Sequence, residues 1–206
     1  MVWRIGNFGI LSPIKKIFVK EVIGMENIPN NPPFIVASNH ASYLDGFIIL
    51  KIMYDKFRQK THFVAHPGRF GHKLTDLVFI KFMGCIPTDI PNTEFFSRVR
   101  EALKNNRIVG IFPEGRYTKD GSIKSFKIGV GRIALESAVP ILPVALQGTY
   151  DVCPGPKLIP KFKKTVKVVI GKPITFDKHR NTKNVMTAYK NITSKVEVEV
   201  KKLFET

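Results

Sequence analysis

Only two cysteines, Cys85 and Cys153, occur in the 206 residues of the chain. That is too few for a disulfide framework, and neither stands in a CxxC pair or beside clustered histidines, so no disulfide scaffold and no metal site are expected. Long apolar runs are missing as well: no stretch approaches the ~18 consecutive apolar residues of a membrane-spanning helix. The apolar N-terminal region has no clean hydrophobic core and no small-residue cleavage site, so no signal peptide is expected. There is no internal repeat, low-complexity tract or Gly/Ser linker, which points to one domain, and 44% hydrophobic residues supply a full core for it. Acidic residues are scarce. With 33 Lys and Arg against 16 Asp and Glu the formal charge is +17, which calls for an anionic partner, either membrane phospholipid or nucleic acid. No RNA- or DNA-binding signature and no set of stacking aromatics along a basic strand is present, so nucleic acid is not the expected partner.

What the chain does contain is an alternation of strand-like and helix-like segments. Apolar runs at Phe34–Ser38, Thr61–Ala65, 108–112, 141–146 and Val166–Ile170 read as strands. Between and after them, Phe95, Phe96, Val99, Ala102 and Leu103, and later Val185, Tyr189, Ile192, Val196, Val200 and Leu203, recur at helical spacing. Residues 195–200 alternate strictly and could form a strand, but the longer helical register favours a helix. The expected fold class is α/β, a single domain with a largely parallel central sheet flanked by helices.

The chemistry concentrates in two strand-to-helix connections. Asn39-His40-Ala41-Ser42-Tyr43-Leu44-Asp45 follows the first strand and precedes the apolar run beginning at Phe47. Loops at the carboxyl ends of strands in such sheets are where ligands bind. A histidine there, held from behind by a carboxylate, is suited to act as a general base. Ser42-x-x-Asp45 equally fits a capping box, which by itself would account for the aspartate. The second connection is Pro113-Glu114-Gly115-Arg116, a turn after the strand around Val109, Gly110, Ile111 and Phe112. Alone it reads as a solvated turn; with the histidine loop it completes a plausible site.

Together these blocks resemble the glycerolipid acyltransferases typified by 1-acyl-sn-glycerol-3-phosphate acyltransferase, which carry an N-H-x-x-x-x-D block and a later F-P-E-G block. Gly84-Cys85-Ile86-Pro87 resembles the intervening G-x-I-P block, and Val139-Pro140-Ile141-Leu142-Pro143-Val144 the V-P-x-x-P-V block downstream. Phe126 to Gly129 and Ala134-Leu135-Glu136 resemble the connecting helix, so the similarity runs from about residue 24 to about residue 174. The resemblance implies transfer of a fatty acyl group from acyl-CoA or acyl carrier protein to a lysophospholipid hydroxyl, most of all that of 1-acyl-glycerol-3-phosphate, with no cofactor, metal or covalent enzyme intermediate. It implies that His40 deprotonates the acceptor and Asp45 orients the imidazole. Glu114, Gly115 and Arg116 would hold the polar head, and Ile86, Pro87 and Pro140 would contribute to substrate binding. Cys85 reads as an apolar filler, and His62, His66, His72 and His179 as non-catalytic.

Two departures from the family pattern bear on the acceptor. The F-P-E-G block usually continues Thr-Arg-Ser, whereas here Arg116-Tyr117-Thr118 moves the basic group by one position. The G-x-I-P block is often followed by Asp-Arg; Asp89-Ile90 keeps the acid and loses the arginine. Arg69, Lys73, Arg98 and Arg100 are candidates to replace it, and another single-chain lipid acceptor stays open. So do a thioesterase using water and a non-catalytic basic protein gripping membrane or nucleic acid. Residues 1–22, with Trp3 and Ile5 beside Arg4 and Lys15, are expected as an amphipathic basic segment able to touch a membrane or pack on the domain, with 23–206 as the acyltransferase domain. Lys157, Lys161, Lys163, Lys164 and Lys167, interleaved with Leu158, Ile159 and Phe162, form a second possible contact with anionic lipid. The expected location is peripheral, on the cytoplasmic face of the membrane.

Overall fold

Apolar runs without alternation become strands here because the sheet is covered on both faces, so successive residues are buried on opposite sides. The computed structural model describes residues 11–66, 84–155, 157, 159–176 and 184–206. The residues before Leu11, Arg69, His72, Lys73, Leu158 and His179 lie outside the described residues. The strands are β1 (Val19–Ile23), β2 (Phe34–Ser38), β3 (Thr61–Ala65), β4 (Ile86–Pro87), β5 (Ile108–Ile111), β6 (Ile141–Gln147) and β7 (Val166–Ile170). They form one sheet in the order β1-β7-β6-β2-β5-β3-β4. Every pairing is parallel except β6 with β7. The α/β class with a largely parallel sheet is therefore what the chain adopts.

The helices are α1 (Ser12–Phe18), α2 (Leu44–Phe57), α3 (Asn92–Lys104), α4 (Gly129–Ser137), α5 (Thr149–Val152) and α6 (Val185–Glu205). Phe34 and Val36 of β2 join Leu142 and Val144 of β6 in a core layer with Ile48, Ile49 and Ile52 of α2. Ile35 and Ala37 point the other way, into a layer with Val99 of α3, Ile133 of α4 and Val196 of α6. Each fully buried Val, Leu, Ile or Phe side chain among these is worth about 1.5–3 kcal/mol relative to exposure. Residues 195–200 are helical, as the longer register requires: Val196 and Val200 are buried and Val198 is exposed.

Residues 11–23 are built into this domain. Leu11, Phe18 and Val19 are buried, β1 pairs with β7, and Lys15 shares Asp55 of α2 with Lys51. The division expected after residue 22 thus falls inside a strand. β1 escaped notice because it is an edge strand with a largely exposed face, so its sequence reads as basic and amphipathic.

Candidate active site

β2, β5 and β6 run side by side in parallel, which brings their carboxyl ends, and the loops that leave them, to one edge of the sheet. Asn39 directly follows β2 and is buried; its amide donates to the Leu146 carbonyl and accepts from the Leu146 N–H, at 3.0 and 2.8 Å. This locks the ends of β2 and β6 together immediately before His40.

The His40 ring is fixed on three sides. Nδ1 lies 2.9 Å from Asp45 Oδ2, one face stacks on Phe112 with centroids 3.9 Å apart, and Tyr117 covers the other at 4.0 Å. Phe112 in turn stacks on Phe63 at 5.5 Å. Phe63 can lie that close because residue 110 is glycine: a Cβ there would stand 2.4 Å from the Phe63 ring. With Nδ1 turned to a buried carboxylate, Nε2 is the nitrogen left to face a substrate, and the imidazole side chain keeps 14% exposure.

Asp45 sits in the first turn of α2, fully buried, where the helix dipole favours an anion. Oδ2 accepts from the His40 ring and from the N–H groups of Ala41 and Ser42 at 2.7 and 2.8 Å. One oxygen thus makes both the contact with the His40 ring and the reach back to the Ser42 N–H on which the two readings of this aspartate turn. Oδ1 is buried with no hydrogen-bond partner.

Glu114 is placed differently from the expectation that it holds an acceptor head. It is 4% exposed; Oε1 accepts from the His40 N–H and Oε2 from the Lys124 N–H, both at 2.8 Å. With both oxygens engaged by backbone, the carboxyl ties the two loops together instead of facing outward. Thr118 N–H adds a bond to the His40 carbonyl at 2.9 Å. Burial pushes the Glu114 carboxyl up to about 7, outweighing the Lys124 and His40 N–H groups that favour the carboxylate; the nearby Asp45 charge adds to the rise. A folded-state value above the ordinary 4.5 means that this group contributes stability that is full below pH 4.5 and is lost as pH rises through 7. We expect wild type to lose about 2.5 kcal/mol relative to Glu114→Gln between pH 5 and pH 8, the amide mimicking the neutral acid at both. Urea unfolding at the two pH values measures this, and parallel stability curves for the two proteins would refute it.

Gly115 takes φ +75°, and a Cβ there would stand 2.6 Å from Lys127 Nζ. This ammonium beside the turn was not foreseen, since Lys127 lies in another segment; neither were the two aromatic faces around His40. Arg116 is exposed on the same turn. Ile86 and Pro87 pair with Val64 and Ala65 on the edge strand, about 14 Å across three strand spacings from β2. Ile86 is buried in the layer containing Phe96 and Val99. Pro140 is at the wrong end for contact with this site: it precedes β6, and its carbonyl accepts from Ile35 N–H near the start of β2, some 20 Å along the strand from Leu146. The two described candidates for the absent arginine are committed elsewhere, Arg98 to Glu94 at 2.6 Å and Arg100 to Glu136 at 2.8 Å. Cys85 is held neutral, its thiol pushed up to about 12 by burial, which suits the filler reading.

Residues 20–147 match the family model described as Acyltransferase. The chain is 30% identical over 166 residues to the chloroplastic 1-acyl-sn-glycerol-3-phosphate acyltransferase BAT2 of Brassica napus, covering 78% of this chain and 46% of that protein. It is 28% identical to the 1-acyl-sn-glycerol-3-phosphate acyltransferase of Bacillus subtilis, over 75% of this chain and 73% of the other. The chain thus spans about half the length of the plant relative and most of the bacterial one. Its fold is similar to the crystal structure of PlsC, the 1-acyl-sn-glycerophosphate acyltransferase of Thermotoga maritima, with TM-score 0.67 and 26% identity over 96% of this chain and 80% of that one. The matched segment holds both the histidine loop and the Glu114 turn, on the sheet that those blocks led one to expect, and the chain belongs to the acyltransferase family.

Proposed function

We propose that the protein transfers a fatty acyl group from a thioester, acyl-CoA or acyl carrier protein, to the free hydroxyl of a lysophospholipid, with 1-acyl-glycerol-3-phosphate as the leading acceptor. The observation that carries this is the His40–Asp45 contact of 2.9 Å at the carboxyl edge of the sheet, with only Asp45 fully buried. In this reading Nε2 of His40 takes the acceptor's proton as its oxygen attacks the thioester carbonyl, and Asp45 stabilises the imidazolium that forms. The tetrahedral intermediate then expels the thiolate, which takes the proton back from His40. No group on the protein is acylated and no cofactor takes part.

Glu114 acts from behind by holding the His40 backbone, while Arg116 and Lys127 are the cations beside the Gly115 turn that suit a phosphate. The planar guanidinium fork gives paired, charge-assisted hydrogen bonds and the ammonium a point charge. Membrane lipid is the natural source of such an acceptor, so the protein works at an anionic membrane surface, peripherally on its cytoplasmic side. No helix among the described residues is long and apolar enough to cross a membrane.

The test is free-thiol release from acyl-CoA, and from acyl carrier protein, with and without a panel of lysophospholipids in mixed micelles. Release that requires 1-acyl-glycerol-3-phosphate is the expected result. Release that requires a different lysophospholipid would keep the reaction and replace the acceptor. Release without any acceptor would make the protein a thioesterase, and none with either donor would leave a binding protein.

A further inference from the structure

The connection from α5 to β7 is unusual for what it exposes. Ile159 is 85% and Phe162 78% exposed, the highest values among the large hydrophobic side chains described. Beside them Lys157, Lys161, Lys163 and Lys164 are exposed, and none is paired with a carboxylate among the described residues. The backbone that carries them is tied down: Lys157 N–H donates to the Pro154 carbonyl at 2.7 Å, and Lys161 N–H to the Val152 carbonyl at 2.8 Å. One side of the Phe162 ring leans on Phe18 at the end of α1, with centroids 6.1 Å apart. The apolar side chains are therefore held outward by an ordered support.

This connection also stands beside the candidate active site. It enters β7 beside the carboxyl end of β6, the edge on which His40 lies. Gly155 N–H donates to the Ala41 carbonyl at 3.1 Å, and the Gly155 backbone lies against the Tyr117 ring that covers His40.

We infer that this connection docks on an anionic phospholipid bilayer, with Ile159 and Phe162 entering the acyl boundary and the lysines resting on the headgroups. The observation behind it is the pairing of outward apolar side chains with uncompensated lysines. An acidic protein partner would account for the lysines but not for two projecting hydrophobes with no groove between them. The docked orientation seats the mouth of the His40 site at the lipid surface, where a single-chain acceptor resides. In that respect the inference rests on the proposed acyl transfer, but the binding itself does not depend on turnover.

The experiment is co-sedimentation of the chain with vesicles of equimolar phosphatidylglycerol and phosphatidylcholine, and of phosphatidylcholine alone. Each lysine near an anionic surface is worth about a fivefold gain in affinity. The variant Lys161→Gln/Lys163→Gln/Lys164→Gln should therefore bind the anionic vesicles about a hundredfold more weakly. Ile159→Ser/Phe162→Ser should lose tenfold or more, and this loss should persist at high salt. A control variant, Lys60→Gln/Lys104→Gln/Lys172→Gln, removes the same charge at the opposite end of the sheet and should bind nearly as wild type does. Three results would overturn the inference: no binding by wild type, equal losses in the control and loop lysine variants, or unchanged vesicle binding by the loop variants. Because sedimentation needs no acyl transfer, failure of the proposed reaction leaves this readout intact.

Discussion

The His40→Ala variant is expected to transfer acyl groups about 10³–10⁴-fold more slowly than wild type while melting within a few degrees of it. A positioned general base contributes about 10²–10⁴-fold, and the upper part of that range applies because the ring is held so tightly here. Phe112 and Tyr117 sandwich it and Asp45 fixes its tautomer. The fold is spared because Glu114 holds the His40 backbone N–H and not its ring, and alanine keeps that bond. What is lost structurally is stacking at a partly open position and one of the three hydrogen bonds to Asp45 Oδ2, together about 2 kcal/mol, with the Ala41 and Ser42 N–H groups still holding that carboxylate. Thiol release with the required acceptor, measured beside a thermal melt, checks both halves. Activity within tenfold of wild type would remove His40 from the chemistry and return the loop to a binding role.

Asp45→Asn is expected to separate catalysis from capping, with a fall in kcat of about 10³-fold or more and a smaller loss of stability. The asparagine oxygen must occupy the place of Oδ2, because the Ala41 and Ser42 N–H groups both need an acceptor there. Its NH₂ then falls where Oδ1 is now, a buried position with no partner, at a cost of about 1–3 kcal/mol. The reverse orientation would set donors against donors. The neutral amide still receives the His40 ring N–H but gives the imidazolium no countercharge. Asp45→Ala removes the cap as well and should be less stable than the asparagine variant. Comparison of kcat with unfolding free energy across the two substitutions reads the separation; an asparagine variant with near-full kcat would mean that the cap is all Asp45 provides.

The elements that local pattern could reveal were those buried on both faces or amphipathic over several turns. β2, β5 and β6 are short apolar runs bounded by turns, and α6 repeats its apolar positions over 21 residues, enough to overrule the local alternation at 195–200. β1 and β4 gave little signal. One is an edge strand with exposed lysine and glutamate, and the other has two residues, stabilised by pairing with β3 and not by any preference of its own. The His40–Asp45 pair was legible for the opposite reason. Its partners are five residues apart, so the turn into α2 nearly determines their contact.

Side-chain direction across distant segments was not legible. Glu114 is an acid in a turn by sequence, and turns ordinarily face water. It faces inward because β5 lies beside β2, which leaves the His40 N–H, 74 residues away, in need of an acceptor. Pro140 belongs to a block that accompanies the site in sequence, yet parallel pairing puts the start of β6 beside the start of β2, at the far edge. Phe112, Tyr117 and Lys127 were ordinary apolar, turn and basic residues until the 112–128 segment folded over His40. Residue spacing and apolar period alone determined that this chain forms a covered, largely parallel sheet and carries a histidine and an aspartate close together at a strand end. Which groups surround that histidine was decided only by the tertiary structure. Strand order sets which loops meet at one edge, and buried backbone N–H groups then claim whatever acceptor the neighbouring loop brings within reach.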